Sequence, residues 1–243
     1  MIVERSMHSG WLSNSYLVGD REGGTGVLVD AGGPVMPLVE AASRHKLAIS
    51  HLLITHADHD HVAEADTYLT RYDVPVLGHA LEADRMPRAD RLLAHGDEIE
   101  AGDLRITALE TPGHSPGHLA FLVDGTDCFT ADVLFDGTVG GTMRDSYASL
   151  HRSIMDVLMQ LPPETRVHPG HTTPTTIGRE WEENPFIRVW RGLDPEGDAP
   201  CTVNGRGATL LLFAPDYDGG HKGLVRWDDG GHDVVPGSRV ERE

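Results

Sequence analysis

The chain has 243 residues, 39% of them hydrophobic, with a formal net charge of −18 and two cysteines. That length suits one sizeable domain or one domain with an appendage. The acidity excludes nucleic acid and anionic membranes as expected partners, because phosphate neutralisation supplies most non-specific affinity.

No apolar run approaches the roughly 20 residues that span a bilayer. The N-terminal stretch lacks a basic start followed by an apolar segment. Cys128 and Cys201 stand too far apart to form a CxxC pair. A cytoplasmic protein acting on a small molecule is therefore expected.

In chain order, apolar runs bounded by Gly, Pro and Asp predict strands over 16–18 and 26–29. Helical periodicity follows over 36–44, then a strand over 52–55 and a helix over 63–71. Strands are predicted over 104–109, 119–123 and 128–130, and a helix over 148–161. In that helix Leu150, Ile154, Val157, Leu158 and Leu161 share one face, and Pro162 and Pro163 stop it. Strands mixed with helices throughout predict an α/β (α+β) fold with helices on sheet faces. A polar link over 192–200 precedes three short predicted strands over 208–213, 223–227 and 232–235, with a turn at 228–231. The expected division is 1–192 for the main domain and 193–243 for a linker and β-rich appendage, too short for a large core of its own.

Fifteen histidines is a high count, and they cluster beside carboxylates and glycines. The densest cluster is Thr55, His56, Ala57, Asp58, His59, Asp60 and His61, directly after an apolar run. On an extended backbone His56, Asp58 and Asp60 point one way, and His61 lies where the chain turns towards a helix. Imidazole and carboxylate packed this densely suit zinc or a related first-row ion. Three further segments repeat the pattern of Gly or Pro beside His or Asp after an apolar run. They are 111–118 with His114, 130–132 with Asp132, and 168–171 with His171. Rigid turns there hold a ligand with little flexibility. His59 alternates away from the ligand face, His118 is expected to be structural, and His168 belongs to a strand.

The order and spacing of these residues resemble the metallo-β-lactamase superfamily, whose usual motif is Thr-His-x-His-x-Asp-His followed by separate His, Asp and His ligands. Within it the chain looks most like the short bacterial relatives of the glyoxalase II-type hydroxyacylglutathione hydrolases. The resemblance is carried by 111–117, 131–135, 169–171, 175–180 and Asn184, Pro185 and Phe186. It implies a four-layer αββα sandwich and two divalent metal ions, zinc above all. His56, Asp58 and His114 would hold one ion, Asp60, His61 and His171 the other, and Asp132 would bridge them. Asp60 and Asp132 are the residues expected to act in catalysis. It further implies hydrolysis of a thioester, ester or lactone by a metal-bound hydroxide. Arg144 is the residue expected to meet an anionic substrate.

The departure from the family motif is Asp58, where the usual residue is His. A carboxylate there lowers the positive charge of the cluster, and with it the acidification of bound water. It also opens the site to Mn or Fe. The longer glyoxalase II enzymes end in a helical glutathione-binding region, whereas this chain predicts strands there. Two alternatives stand beside the hydrolase. One is an iron-dependent oxidation resembling the persulfide dioxygenases, which use one iron at positions matching His56, His114 and Asp132. The other is a catalytically impaired metal-binding module.

Overall fold

The computed structural model describes residues 1–142 and 146–242. Its first sheet runs in the order β1 (Ile2–Met7), β2 (Asn14–Gly19), β3 (Thr25–Val29), β4 (Ala48–Leu53), β5 (Val76–His79) and β6 (Arg91–Leu93). The first three strands are antiparallel and the rest parallel. The second sheet uses β7 (Glu98–Ala101), β8 (Leu104–Glu110), β9 (Leu119–Val123) and β10 (Asp127–Ala131). A small ribbon, β11 (Leu134–Phe135) and β12 (Thr138–Val139), follows. Then β13 (Arg166–Pro169) and β14 (Thr175–Thr176) complete that sheet in the order β14-β13-β10-β9-β8-β7.

Residue alternation explains how these sheets stack. In β2 and β3, Tyr16, Val18, Val27 and Val29 face the same core as Leu119, Phe121 and Val123 of β9. Leu17 and Leu28, one residue out of phase, face the opposite side with Leu38, Val39 and Tyr68 of the helices α1 (Val35–Arg44) and α3 (Ala65–Tyr72). Between α1 and α3 lies the single turn α2 (His59–Val62). On the outer face of the second sheet, Leu150 and Ile154 of α4 (Tyr147–Arg152) and its continuation pack with residues of α5 (Ile177–Glu183) and α6 (Pro185–Trp190). This is the four-layer αββα arrangement, because strands with period 2 and apolar residues on both faces need covers on both faces.

The C-terminal segment forms a separate antiparallel sheet. It comprises β15 (Ala199–Val203), β16 (Arg206–Pro215), β17 (His221–Trp227), β18 (His232–Pro236) and β19 (Val240–Arg242), in the order β18-β17-β16-β15-β19. Its Leu211, Ala214, Leu224 and Val234 join the core that holds Leu134, Val139 and Leu150. Cys201, Leu210, Val225 and Val235 form a small cluster on the other side. No helix among the described residues is long and apolar enough to cross a membrane.

Three local differences from the sequence reading have physical causes. The strand expected over 52–55 runs from Ala48 to Leu53, because the Thr55 N–H is taken by the Asp30 carboxylate rather than a ladder partner. The helix expected over 148–161 occupies nearly that stretch, but its turns widen over Ser153–Val157 and tighten over Leu158–Gln160. There the Ser153 hydroxyl donates to the Pro112 carbonyl and ties the helix to the His114 loop. The end of the expected polar link over 192–200 enters β15, which pairs with both β16 and β19.

Candidate metal centre

The sequence motifs converge because they sit at one edge of the sandwich. Parallel β3 and β4 both end there, as do parallel β10 and β13. Asp30 follows β3, His56 follows β4, Asp132 follows β10 and His171 follows β13. The β8–β9 connection returns through the same edge and carries His114. Two glycine-dependent close approaches complete the convergence. A Cβ on Gly170 would lie 2.1 Å from Asp132 Oδ1, and one on Gly32 would lie 1.5 Å from the Asp60 carbonyl oxygen. Ala131 sits at φ +39, a strained backbone that turns Asp132 out of β10.

Two groups of potential ligands result, His56 with His114 and Asp132, and Asp60 with His61 and His171. Within each group the ligand atoms lie within 4.8 Å of one another. In the first, Asp132 Oδ2 is 3.9 Å from His56 Nε2 and 3.6 Å from His114 Nε2. In the second, Asp60 Oδ2 is 3.8 Å from His61 Nε2 and 3.6 Å from His171 Nε2. Asp132 reaches this group as well, with Oδ1 at 3.2 Å from His61 Nε2 and Oδ2 at 3.3 Å from His171 Nε2. One carboxylate therefore faces both groups.

The chemistry of the donors fits metal ions. Among the described residues, His56 Nε2, His61 Nε2 and Asp132 Oδ1 are buried and make no well-aligned hydrogen bond, the 3.2 Å approach of the last two included. Orphaned buried polar atoms cost about 1–3 kcal/mol each, so several converging on one point call for a shared partner. A tetrahedral ion with bonds near 2.0–2.2 Å sets its ligand atoms about 3.3–3.6 Å apart, close to the 3.6–3.9 Å separations within each group. Without an ion the groups balance one another. Burial pushes Asp132 up, but the His171 and His61 imidazoles hold its carboxyl well below the usual carboxylate range. Burial pushes His61 down, but the Asp132 and Asp30 carboxylates hold it well above the usual imidazole value. His56 is pushed well down by burial and then by the His61 charge.

Asp58 sits at the edge of the first group. Its Oδ2 is 3.4 Å from His114 Nε2 and 3.7 Å from His56 Nε2, while its Oδ1 meets Arg85 Nη1 at 3.1 Å. The guanidinium returns positive charge beside the position where a His is replaced by a carboxylate. Arg144 lies outside the described residues.

Several supporting residues escaped the sequence reading. Asp30 is buried; its Oδ1 accepts from the Thr55 N–H at 2.9 Å, and its Oδ2 lies 2.9 Å from His61 Nδ1 and 2.8 Å from the Thr55 hydroxyl. A proton donated from Nδ1 leaves His61 Nε2 free to ligate. The local signal was present, since 27–33 repeats the pattern of apolar run, acid and glycine. Glu82 has no such signal. Its buried carboxylate accepts from the backbone N–H of Ala57 at 3.0 Å and of Gly117 at 3.1 Å, joining the His56 and His114 loops, and it also meets Arg85. His118, expected to be structural, accepts from the Asp132 N–H at 3.3 Å and pairs with Thr111 at 2.8 Å. It therefore holds Asp132 from behind. His59 faces away, edge-on to Trp11, and His168 is in β13, bonded to Asp127 at 2.8 Å.

Residues 8–171 match the family model described as the metallo-beta-lactamase superfamily. A hydroxyacylglutathione hydrolase of Rhizobium etli is 32% identical over 71% of this chain and 81% of its own. Among solved structures, ETHE1 from Myxococcus xanthus is 30% identical with TM-score 0.69, over 80% of this chain and 92% of that one. TTHA1623 in a di-iron-bound form is 34% identical with TM-score 0.63, over 74% and 98%.

Proposed function

The chain belongs to the metallo-beta-lactamase superfamily, and on that premise we propose that it is a metal-dependent hydrolase of a thioester, ester or lactone. The observation that carries the reading is Asp132, one buried carboxylate that completes the group of His56 and His114 and also faces Asp60, His61 and His171. The similarity to a hydroxyacylglutathione hydrolase supports the choice of acyl chemistry. Two divalent ions bound there supply a Lewis acid for the acyl carbonyl and lower the pKa of a water.

The protein's own part is preorganisation. Asp30 fixes His61, and the Gly141 carbonyl lies 3.3 Å from His114 Nδ1. His118 and Ala131 fix Asp132. Asp60 is the most open of the six, with 27% of its side chain exposed, and so faces the solvent side of the centre. We take zinc as the expected ion, with Mn or Fe admitted by the extra carboxylate of Asp58. Both cysteines are free and buried, which supports a reducing, cytoplasmic setting.

A second reading rests on the first group alone. Two imidazoles and one carboxylate match the ligand set of non-haem iron oxygenases, and similarity to a protein solved in a di-iron-bound form supports iron as the metal. Metal analysis of the purified protein separates the two, followed by a thioester and lactone panel with Zn, Mn and Fe and by oxygen uptake. Two metals per chain with acyl hydrolysis supports the hydrolase. One iron, oxygen consumption and no hydrolysis refutes it in favour of the second reading.

A further inference from the structure

Beside the metal groups lies a pocket of about 250 Å³ to which both parts of the chain contribute. Its lining includes His114 and Asp132, then Phe135 and Gly141, then Tyr217 and Lys222 from the β16–β17 hairpin. That hairpin lies outside the stretch matched by the family model. Tyr217 lies flat on His171, with ring centroids 4.3 Å apart and planes 10° from parallel, and its ring is 5.0 Å from Phe135. Lys222 is 5% exposed. Its Nζ donates to the Val139 carbonyl at 2.7 Å, meets Asp216 Oδ1 at 3.0 Å and sits 5.2 Å from both ring centroids. The ammonium is therefore matched within the protein and anchors the hairpin against the ribbon that carries Phe135. The hairpin also brings the Asp216 and Asp218 carboxylates to the lining, Asp216 held by Lys222, and between them Tyr217 presents aromatic surface.

Gly141 borders the same space. Among the described residues a Cβ there would meet the Val234 carbonyl alone, at 3.5 Å, and its backbone is outside the left-handed region. The pocket is small against the roughly 300–1,000 Å³ of drug-sized sites. It suits a short substituent.

We propose that the Tyr217–Phe135 wall, set by the C-terminal sheet, is the specificity surface of the metal site and takes a short uncharged apolar group, an aliphatic or aryl acyl substituent. The identity of the reacting group rests on the hydrolase reading, whereas the apolar character rests on the wall alone. Burial of each methylene on that surface is worth about a fourfold gain in affinity.

The test is calorimetric titration of the zinc-reconstituted full chain with straight-chain alkyl hydroxamates of increasing length, since the same metal-chelating head is present in each. Affinity is expected to rise roughly fourfold per methylene and then level off when the pocket is full. Gly141→Leu should abolish the gain for the six-carbon chain, read against the same variant's own acetohydroxamate affinity. Tyr217→Ala should shrink that gain, and Tyr217→Phe should keep it. Affinity independent of chain length in the wild type, or a full gain retained in both Gly141→Leu and Tyr217→Ala, overturns the proposal. If no acyl substrate is hydrolysed while the chain-length gain and its loss in the variants persist, the hydrolase reading fails and the apolar wall stands.

Discussion

Replacing Asp30 by Asn is the sharpest probe of how the centre is held. Asp30 is 3% exposed and receives the Thr55 N–H on Oδ1, while its Oδ2 faces the Thr55 hydroxyl and His61 Nδ1. Asparagine keeps one acceptor oxygen for the Thr55 N–H but presents an NH2 to His61 Nδ1. The imidazole can answer only by accepting at Nδ1, which moves its proton to Nε2, the atom facing Asp60 and Asp132. A ligand is thereby turned into a donor. Loss of a carboxylate that orients a ligating histidine costs about 10–100-fold in metal affinity, or roughly 1.4–2.7 kcal/mol. A hydrogen bond to a charged group is worth about 1.5–3 kcal/mol, so the metal-free variant should melt about 3–12 °C lower, at roughly 2–4 °C per kcal/mol for a chain of this size. Zinc titration against a competing chelator, with calorimetry of the metal-free forms, measures both. The first group should lose less affinity, since Asp30 meets His61 directly and His56 through the Thr55 hydroxyl. Wild-type affinity at both sites in Asp30→Asn would refute the tautomer argument.

Three further outcomes are expected. Asp132→Ala should weaken metal binding at both groups and abolish activity, whereas Asp60→Ala should spare the first group; metal content by mass spectrometry checks this, and retention of two tightly held metals without Asp132 would remove the bridge. Asp58→His should keep two metals, shift preference towards zinc and move the basic limb of the pH–rate profile to lower pH, because a more positive site acidifies water more strongly; an unchanged profile and metal preference would make Asp58 a spectator. In acid, His118 and His56 are both sensitive, since burial holds each below the usual imidazole value; for His118, burial and then the His114 charge push the pKa down to about 3. Its contribution to stability is present above the ordinary histidine value near 6.5 and lost as pH falls from there towards 3. His61 is shifted the opposite way and contributes below 6.5, so the readout is the difference between wild type and His118→Gln in metal-free denaturation at pH 7 and pH 4. Equal midpoint shifts in the two proteins would contradict the assignment.

Much of the sandwich was legible because its determinants are local. Strands with period-2 alternation, such as 119–123, and runs ending in Gly, Pro, His or Asp announce both the sheets and the edge where ligands gather. The acid at position 58 was visible as a departure from the motif, but not its meeting with Arg85 on a separate helical turn, 27 residues on. Glu82 was invisible for the same reason. Its carboxylate joins two loops through backbone N–H groups, and no side-chain pattern marks a backbone donor.

The sequence by itself determined the ligand types, their order along the chain and the alternation that buries each strand. Tertiary structure alone decided that Asp132 faces both groups, that Asp30 orients His61, and that the C-terminal sheet shares the main core and lays Tyr217 on His171. The physical reason is range. Alternation and turn chemistry act over a few residues and leave a signature there. Hydrogen bonds and ring stacking between residues 31, 39 or 46 positions apart depend on which chain segments the fold brings to the same edge.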